Sequence, residues 1–254
     1  MILSIHQPDF LPWLGFFNKV QMSDLLVIGD HVQYRNKGYQ NRNRIKTPKG
    51  AHWLTVPIVH DWGQAINTVK INQTEQNGVP WEELHLRTLQ VNYGKAPFYD
   101  KYIGIFENIY KRKIPLLAEN NLELLKAIFG ILGIDVPIKR TSEMTLNNSK
   151  TELILEICET VGADAYLSGI GGAQYMDENL FEKNGIKLLF NNYEHPVYTQ
   201  QFMKLGFLPN MSVIDMIFNQ GSESFEIIKS GFKGFELNSN KLTPVTDIKI
   251  ANVK

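Results

Sequence analysis

MILSIHQPDFLPWLGFFNKVQMSDLLVIGD, residues Met1 to Asp30, carries two apolar runs with a helical pattern between them. Met1 to Ile5 is a short apolar run and predicts a buried strand. A turn-rich segment, Gln7 to Pro12, follows it. Leu14, Phe17 and Gln21 then fall on helical spacing from Leu11, and Ser23-Asp24 leads into Leu25 to Ile28, a second apolar run stopped by Gly29-Asp30. Strand, helix and strand within thirty residues make a βαβ unit, which requires a parallel sheet and a right-handed crossover.

Outward from this unit, His31 to Gly50 is polar, aromatic and basic with no hydrophobic period, which predicts a loop or a mobile hairpin. Trp53 to Val59 is strand-like, and Pro57 favours an edge position. Trp81 to Ile131 has helical spacing broken at Pro97 and Pro115, so three helices are expected there. Alternation then resumes: a strand at Val136 to Lys139, a helix capped by Ser149 and running to about Val161, and a strand at Tyr166-Leu167 entering Ser168-Gly-Ile-Gly-Gly172. Beyond it come a short helix near Glu178 to Lys183, a strand at Ile186 to Phe190, and helices at Ser212 to Phe218 and Phe225 to Lys229. The expected fold is α/β, an open and mostly parallel sheet with helices on both faces and an inserted helical segment. One domain spans 1–254, with 1–60 and 134–221 forming the sheet, 81–132 the helical insertion and 238–254 a loosely held tail.

Composition narrows the function classes. Lysine plus arginine equals aspartate plus glutamate, 26 each, so no overall field draws the chain to nucleic acid or an anionic membrane. No apolar run reaches the ~18 residues of a membrane helix, which predicts no membrane insertion. The single cysteine, Cys158, suits a helix core, and with no secretory pattern a reducing, cytoplasmic location is expected. There is no HExxH, CxxC or GxSxG, so no metal site and no serine triad are expected.

In open α/β sheets ligands sit beyond the carboxyl ends of the strands. Two loops qualify, His6 to Pro12 and Ser168 to Gly172. His6 and Asp9 are the catalytic candidates, His6 as a general base near neutral pH, with Gln7 beside them for binding. The competing reading has His6 bonded to a turn carbonyl and Asp9 capping the next helix. Ser168, Gly169, Gly171 and Gly172 could present backbone amides to an anion at a helix N-terminus, or form only a tight turn. Asn41, Arg42, Asn43, Arg44 and Lys46 make a basic and amide-bearing cluster suited to a diphosphate, or a solvated loop. Among the tryptophans, Trp62 is the one expected to be exposed enough to stack on a ligand, with Trp13, Trp53 and Trp81 in core or lid.

These motifs resemble the WbqC-like family. The resemblance rests on His6-Gln-Pro-Asp-Phe-Leu-Pro-Trp-Leu-Gly-Phe-Phe17, Asn41-Arg-Asn-Arg-Ile-Lys46 before Trp53-Leu-Thr-Val-Pro57, Tyr166-Leu-Ser-Gly-Ile-Gly-Gly172, Tyr198-Thr-Gln200, and Phe207 to Asp215. It adds Tyr198 to the binding candidates and implies a role in making or decorating a bacterial surface polysaccharide such as O-antigen. A looser similarity to adenylate-forming nucleotidyltransferases and pantoate ligases would bring ATP as a cofactor. Their HxGH signature, however, falls on Trp13-Leu14-Gly15-Phe16, with both histidines replaced. Two functions follow as expectations. The first is a small-group transferase or ligase, acyl or aminoacyl, acting on a nucleotide-linked amino sugar. The second is a noncatalytic nucleotide-sugar or glycan binder.

Overall fold

The computed structural model describes residues 1–75, 77–174 and 176–236. The chain runs β1 (Ile2–His6), α1 (Leu14–Gln21), β2 (Leu25–Ile28), β3 (Arg42–Thr47), β4 (Gly50–Thr55), β5 (Ile58–Val59), β6 (Lys70–Ile71), α2 (Trp81–Tyr93), α3 (Tyr99–Lys111) and α4 (Leu117–Leu132). It continues through β7 (Ile138–Arg140), α5 (Lys150–Val161), β8 (Ala165–Gly169), α6 (Glu178–Lys183), β9 (Lys187–Tyr193), α7 (Val213–Gln220), α8 (Ser224–Ser230) and β10 (Phe232–Glu236). The expected tail, 238–254, lies outside the described residues.

The main sheet has the order β10-β9-β8-β1-β2-β7. Five of these strands run parallel, and β10 pairs antiparallel with β9. β1 is central, in register Leu3↔Leu25 with β2 and Leu3↔Tyr166 with β8. All four side chains of β2 are buried, as a strand covered on both faces requires. On one face, Leu14, Phe17 and Val20 of α1 join α2, α3, α4, α7 and α8 in a common apolar cluster. On the other, Leu155, Ile157 and Cys158 of α5 pack with Phe181 of α6 against Leu3, Val27 and Phe190.

The chain leaves β1 toward β2 on one side, and β8 and β9 extend the sheet on the other. The carboxyl ends of β1 and β8 therefore flank the point where strand order reverses, where an α/β sheet opens a crevice.

One open alternative is decided and two local expectations change. Residues 42–55 form a regular hairpin, in register from Arg42↔Thr55 to Thr47↔Gly50, because Asn43, Ile45 and Leu54 point inward and are buried. The strand expected over Trp53 to Val59 breaks after Thr55, and Pro57 separates β4 from β5. The Gly-rich loop enters a 3₁₀ turn, Ile170–Gln174, and the six-residue α6 starts only at Glu178, so the loop does not lead directly into an α-helix. Ser149 does occupy the N-cap position of α5, although its hydroxyl makes no capping bond.

Candidate functional site

The turn after β1 is held under strain. Leu11 has φ 45°, in the left-handed region a branched side chain rarely adopts, and its side chain is buried. Side chains from distant elements fix it there. Asn121 Nδ2 donates to Pro8 O (2.7 Å), Asn43 Nδ2 to Leu11 O (2.7 Å) and Ser212 Oγ to the same Leu11 O (2.9 Å). Backbone strain that several contacts over-determine is characteristic of a functional turn.

This turn presents His6, Gln7 and Asp9 to a cavity of about 710 Å³, which the Ser168 to Gly172 loop also lines. His6 Nδ1 lies 3.0 Å from Gln7 O. A carbonyl can only accept, so Nδ1 carries the proton and the Nε2 lone pair is left for a ligand. Phe16 meets the imidazole edge-on at 4.8 Å. Asp9 Oδ2 stands 3.6 Å from His6 Nδ1. Burial, reinforced by the Lys19 charge, lowers the His6 pKa to about 3, so at neutral pH this approach is not an ion pair. Burial raises Asp9 to about 7, opposed by Lys19, and lowers Lys19 to about 8, opposed by Asp9.

Lys19 is a site residue the sequence reading passed over. It is 6% exposed, donates from Nζ to Ile5 O (3.2 Å) and is the one lysine or arginine lining the cavity among the described residues. A signal was available: it is the only lysine or arginine before Arg35, placed on a helix of otherwise uncharged residues. Trp13, expected in core or lid, also lines the cavity, as do His31, Asn191 and Tyr193, to which the sequence gives no functional signal. Apolar wall is supplied by Leu153, Ile154 and Ile157 of α5.

The remaining candidates stand elsewhere. Asn41, Asn43 and Lys46 are buried braces: Asn41 accepts from Tyr34 Oη (3.0 Å) and donates to Val56 O (3.0 Å), and Lys46 Nζ donates to Gly206 O (2.6 Å). Tyr198 is buried and donates to Asp215 Oδ1 (2.8 Å), whose other oxygen accepts from Tyr93 Oη (2.7 Å). Arg42 lies 4.2 Å over the Trp53 ring and donates to Lys37 O (2.7 Å), while Arg44 donates to Asn210 O (3.3 Å). None of these six lines the cavity. Trp62 is 94% exposed, as expected, but it too is absent from the cavity wall, where Trp13 stands. At the positions of the two HxGH histidines, Trp13 and Phe16 line the cavity with aromatic side chains.

Among the described residues no helix is long and apolar enough to cross a membrane, and no group of three or more His, Cys, Asp or Glu could hold a metal ion. Comparison with known proteins gives a consistent assignment. Residues 7–227 match the WbqC-like protein family. The chain is 32% identical over 234 residues to "Uncharacterized protein Rv1507c" of Mycobacterium tuberculosis (strain ATCC 25618 / H37Rv), covering 89% of this chain and 97% of that one. No solved structure matches.

Proposed function

The chain belongs to the WbqC-like protein family, and we propose that it is an enzyme joining a small acyl or aminoacyl group to a nucleotide-linked amino sugar for a bacterial surface polysaccharide. One observation carries this reading. A strained turn delivers a neutral imidazole, with Nδ1–H committed to Gln7 O, into the same cavity as a buried lysine and a glycine-rich loop.

In this account the sugar amine attacks the carbonyl carbon of an activated acyl donor. As the C–N bond forms, His6 Nε2 takes the amine proton, and the resulting imidazolium gains an ionised partner in Asp9, 3.6 Å from Nδ1. The bond to the donor's leaving group breaks and that group takes the proton back. Lys19 and the amides of Ser168 to Gly172 hold the negative charge of the donor or of the developing oxyanion.

The low basicity of His6 favours a second reading, in which the imidazole only accepts a hydrogen bond and the protein binds a nucleotide sugar without turnover. Mass spectrometry separates the two. The protein is incubated with nucleotide-linked amino sugars, ATP and amino acids or activated acyl donors. An acylated sugar supports the transferase; tight calorimetric binding with no product in any combination supports the binder.

A further inference from the structure

Asn191 and Tyr193 are alternate residues of β9, so they share the face of the sheet on which α1 packs. The orientation of the Asn191 amide follows from a chain of bonds. Ile228 O can only accept, so it takes a hydrogen from Asn18 Nδ2 (3.3 Å). Asn18 Oδ1 then accepts from Asn191 Nδ2 (3.1 Å). This leaves Asn191 Oδ1, on a residue 4% exposed, as a buried acceptor with no partner. Tyr193 Oη is buried and unpartnered as well. Both residues line the cavity.

Beside them stands Trp13, 38% exposed, edge-on to Tyr193 (5.7 Å, 75°) and backed by the His195 ring (6.2 Å, 17°). The indole lies against Gly15, where a Cβ would come within 2.3 Å of the ring. The glycine therefore lets a flat aromatic plate rest on α1 at the cavity wall.

We propose that Trp13, Asn191 and Tyr193 form a subsite for a pyranose ring, whose hydroxyl or amine hydrogens reach Asn191 Oδ1 and Tyr193 Oη while the indole covers its C–H face. Asn191 Oδ1 can only accept and so requires a ligand that brings donors, while the neutral Tyr193 phenol can either donate or accept. An ionised phosphate or carboxylate brings acceptors only and is matched instead by Lys19. The sugar thus binds at β9 and the anion at Lys19. This assignment rests on the reading of the substrate as a nucleotide-linked sugar, and its test is arranged so that the two can fail separately.

Calorimetry is run with UDP, GDP, CDP and dTDP, with the glucosamine conjugate of each, and with free glucosamine at millimolar concentration. For an accepted nucleotide, the conjugate is expected to bind at least tenfold tighter than the bare diphosphate. Trp13→Ala and Tyr193→Phe should each reduce that margin below threefold and leave the bare diphosphate's affinity unchanged. Tyr193→Phe should also keep or raise the thermal midpoint, since its hydroxyl makes no bond in the free protein; a structural hydroxyl would lower it. Equal affinity for bare and sugar-linked diphosphates, or a margin that survives both substitutions, overturns the subsite. Glucosamine binding that Trp13→Ala abolishes, with no diphosphate bound in any form, removes the nucleotide from the proposed function and keeps the subsite. Binding by none of these probes removes both.

Discussion

Asp9 and Lys19 are buried charged groups with opposite shifts, so both titrate close to neutrality. The proposed chemistry needs Asp9 ionised, to receive the imidazolium, and Lys19 protonated, to hold the anion. The rate should rise as pH passes about 7 and fall as it passes about 8. Initial rates against pH test this: Asp9→Asn should remove the rising limb and Lys19→Gln the falling one, each with a slower maximum. The same shift has a sign for stability. Asp9 binds its proton more tightly folded than unfolded, so its contribution is present below pH 3.8 and is lost as pH rises to about 7. Asp9→Asn should therefore melt higher than the parent at pH 8, by roughly 2–4 °C for each kcal/mol recovered, and show little gain at pH 4. A lower melting point at pH 8 would show that the carboxylate is stabilising there. At this scale the sequence disclosed His6, Gln7 and Asp9, which follow an apolar run directly. It did not disclose that Asn43 and Lys46 are interior, because the carbonyls they bind, Leu11 and Gly206, are remote in the chain.

The elements around the cavity divide into parts that bear the backbone's shape and parts that face the ligand, and the two glycines of one loop show the division. A Cβ on Gly171 would meet nothing within 4 Å, whereas one on Gly172 would fall 2.2 Å from Ser168 Oγ and 2.7 Å from Met176 Cε. Gly171→Val should fold normally and lose anion binding, because its branched side chain enters the lined space. Gly172→Ala must turn aside the Ser168 hydroxyl and the Met176 methyl, both ends of flexible side chains, so its thermal midpoint should fall only slightly. Differential scanning fluorimetry with and without ligand distinguishes them, and a Gly171→Val protein that binds as the parent does would reduce the loop to a turn. The first βαβ unit was legible because its two strands are unbroken apolar runs and its helix keeps its period. β10 was not, since Phe232-Lys-Gly-Phe-Glu236 carries Gly234 at φ 127° and shifts register between Phe232 and Gly234. The Arg42–Lys46 run is polar enough to leave a loop and a mobile hairpin both open, and cross-strand pairing with β4 with the burial of Ile45 and Asn43 makes it one strand of a regular hairpin.

At the scale of the whole molecule, the sheet order places the ends of β1 and β8 side by side although about 160 residues separate them in sequence. The two motifs chosen from sequence thus meet in one cavity, because the general rule for parallel sheets locates it. The basic cluster does not join them, since nothing in a linear pattern tells a hairpin's outer face from a cavity wall. With no net charge on the chain, no overall field steers a charged ligand to it, and the charge that Lys19 brings to the cavity acts locally. The proposed transfer requires the imidazole at the end of β1 to move a proton. Its most direct test is the rate of acyl transfer to the accepted amino-sugar nucleotide, measured with saturating donor for the parent and for His6→Asn, alongside thermal midpoints. His6→Asn should lower the rate by roughly 10²-fold or more, the usual scale of lost general-base catalysis, and shift the midpoint by no more than about 3 °C. Equal rates in the two proteins would contradict it.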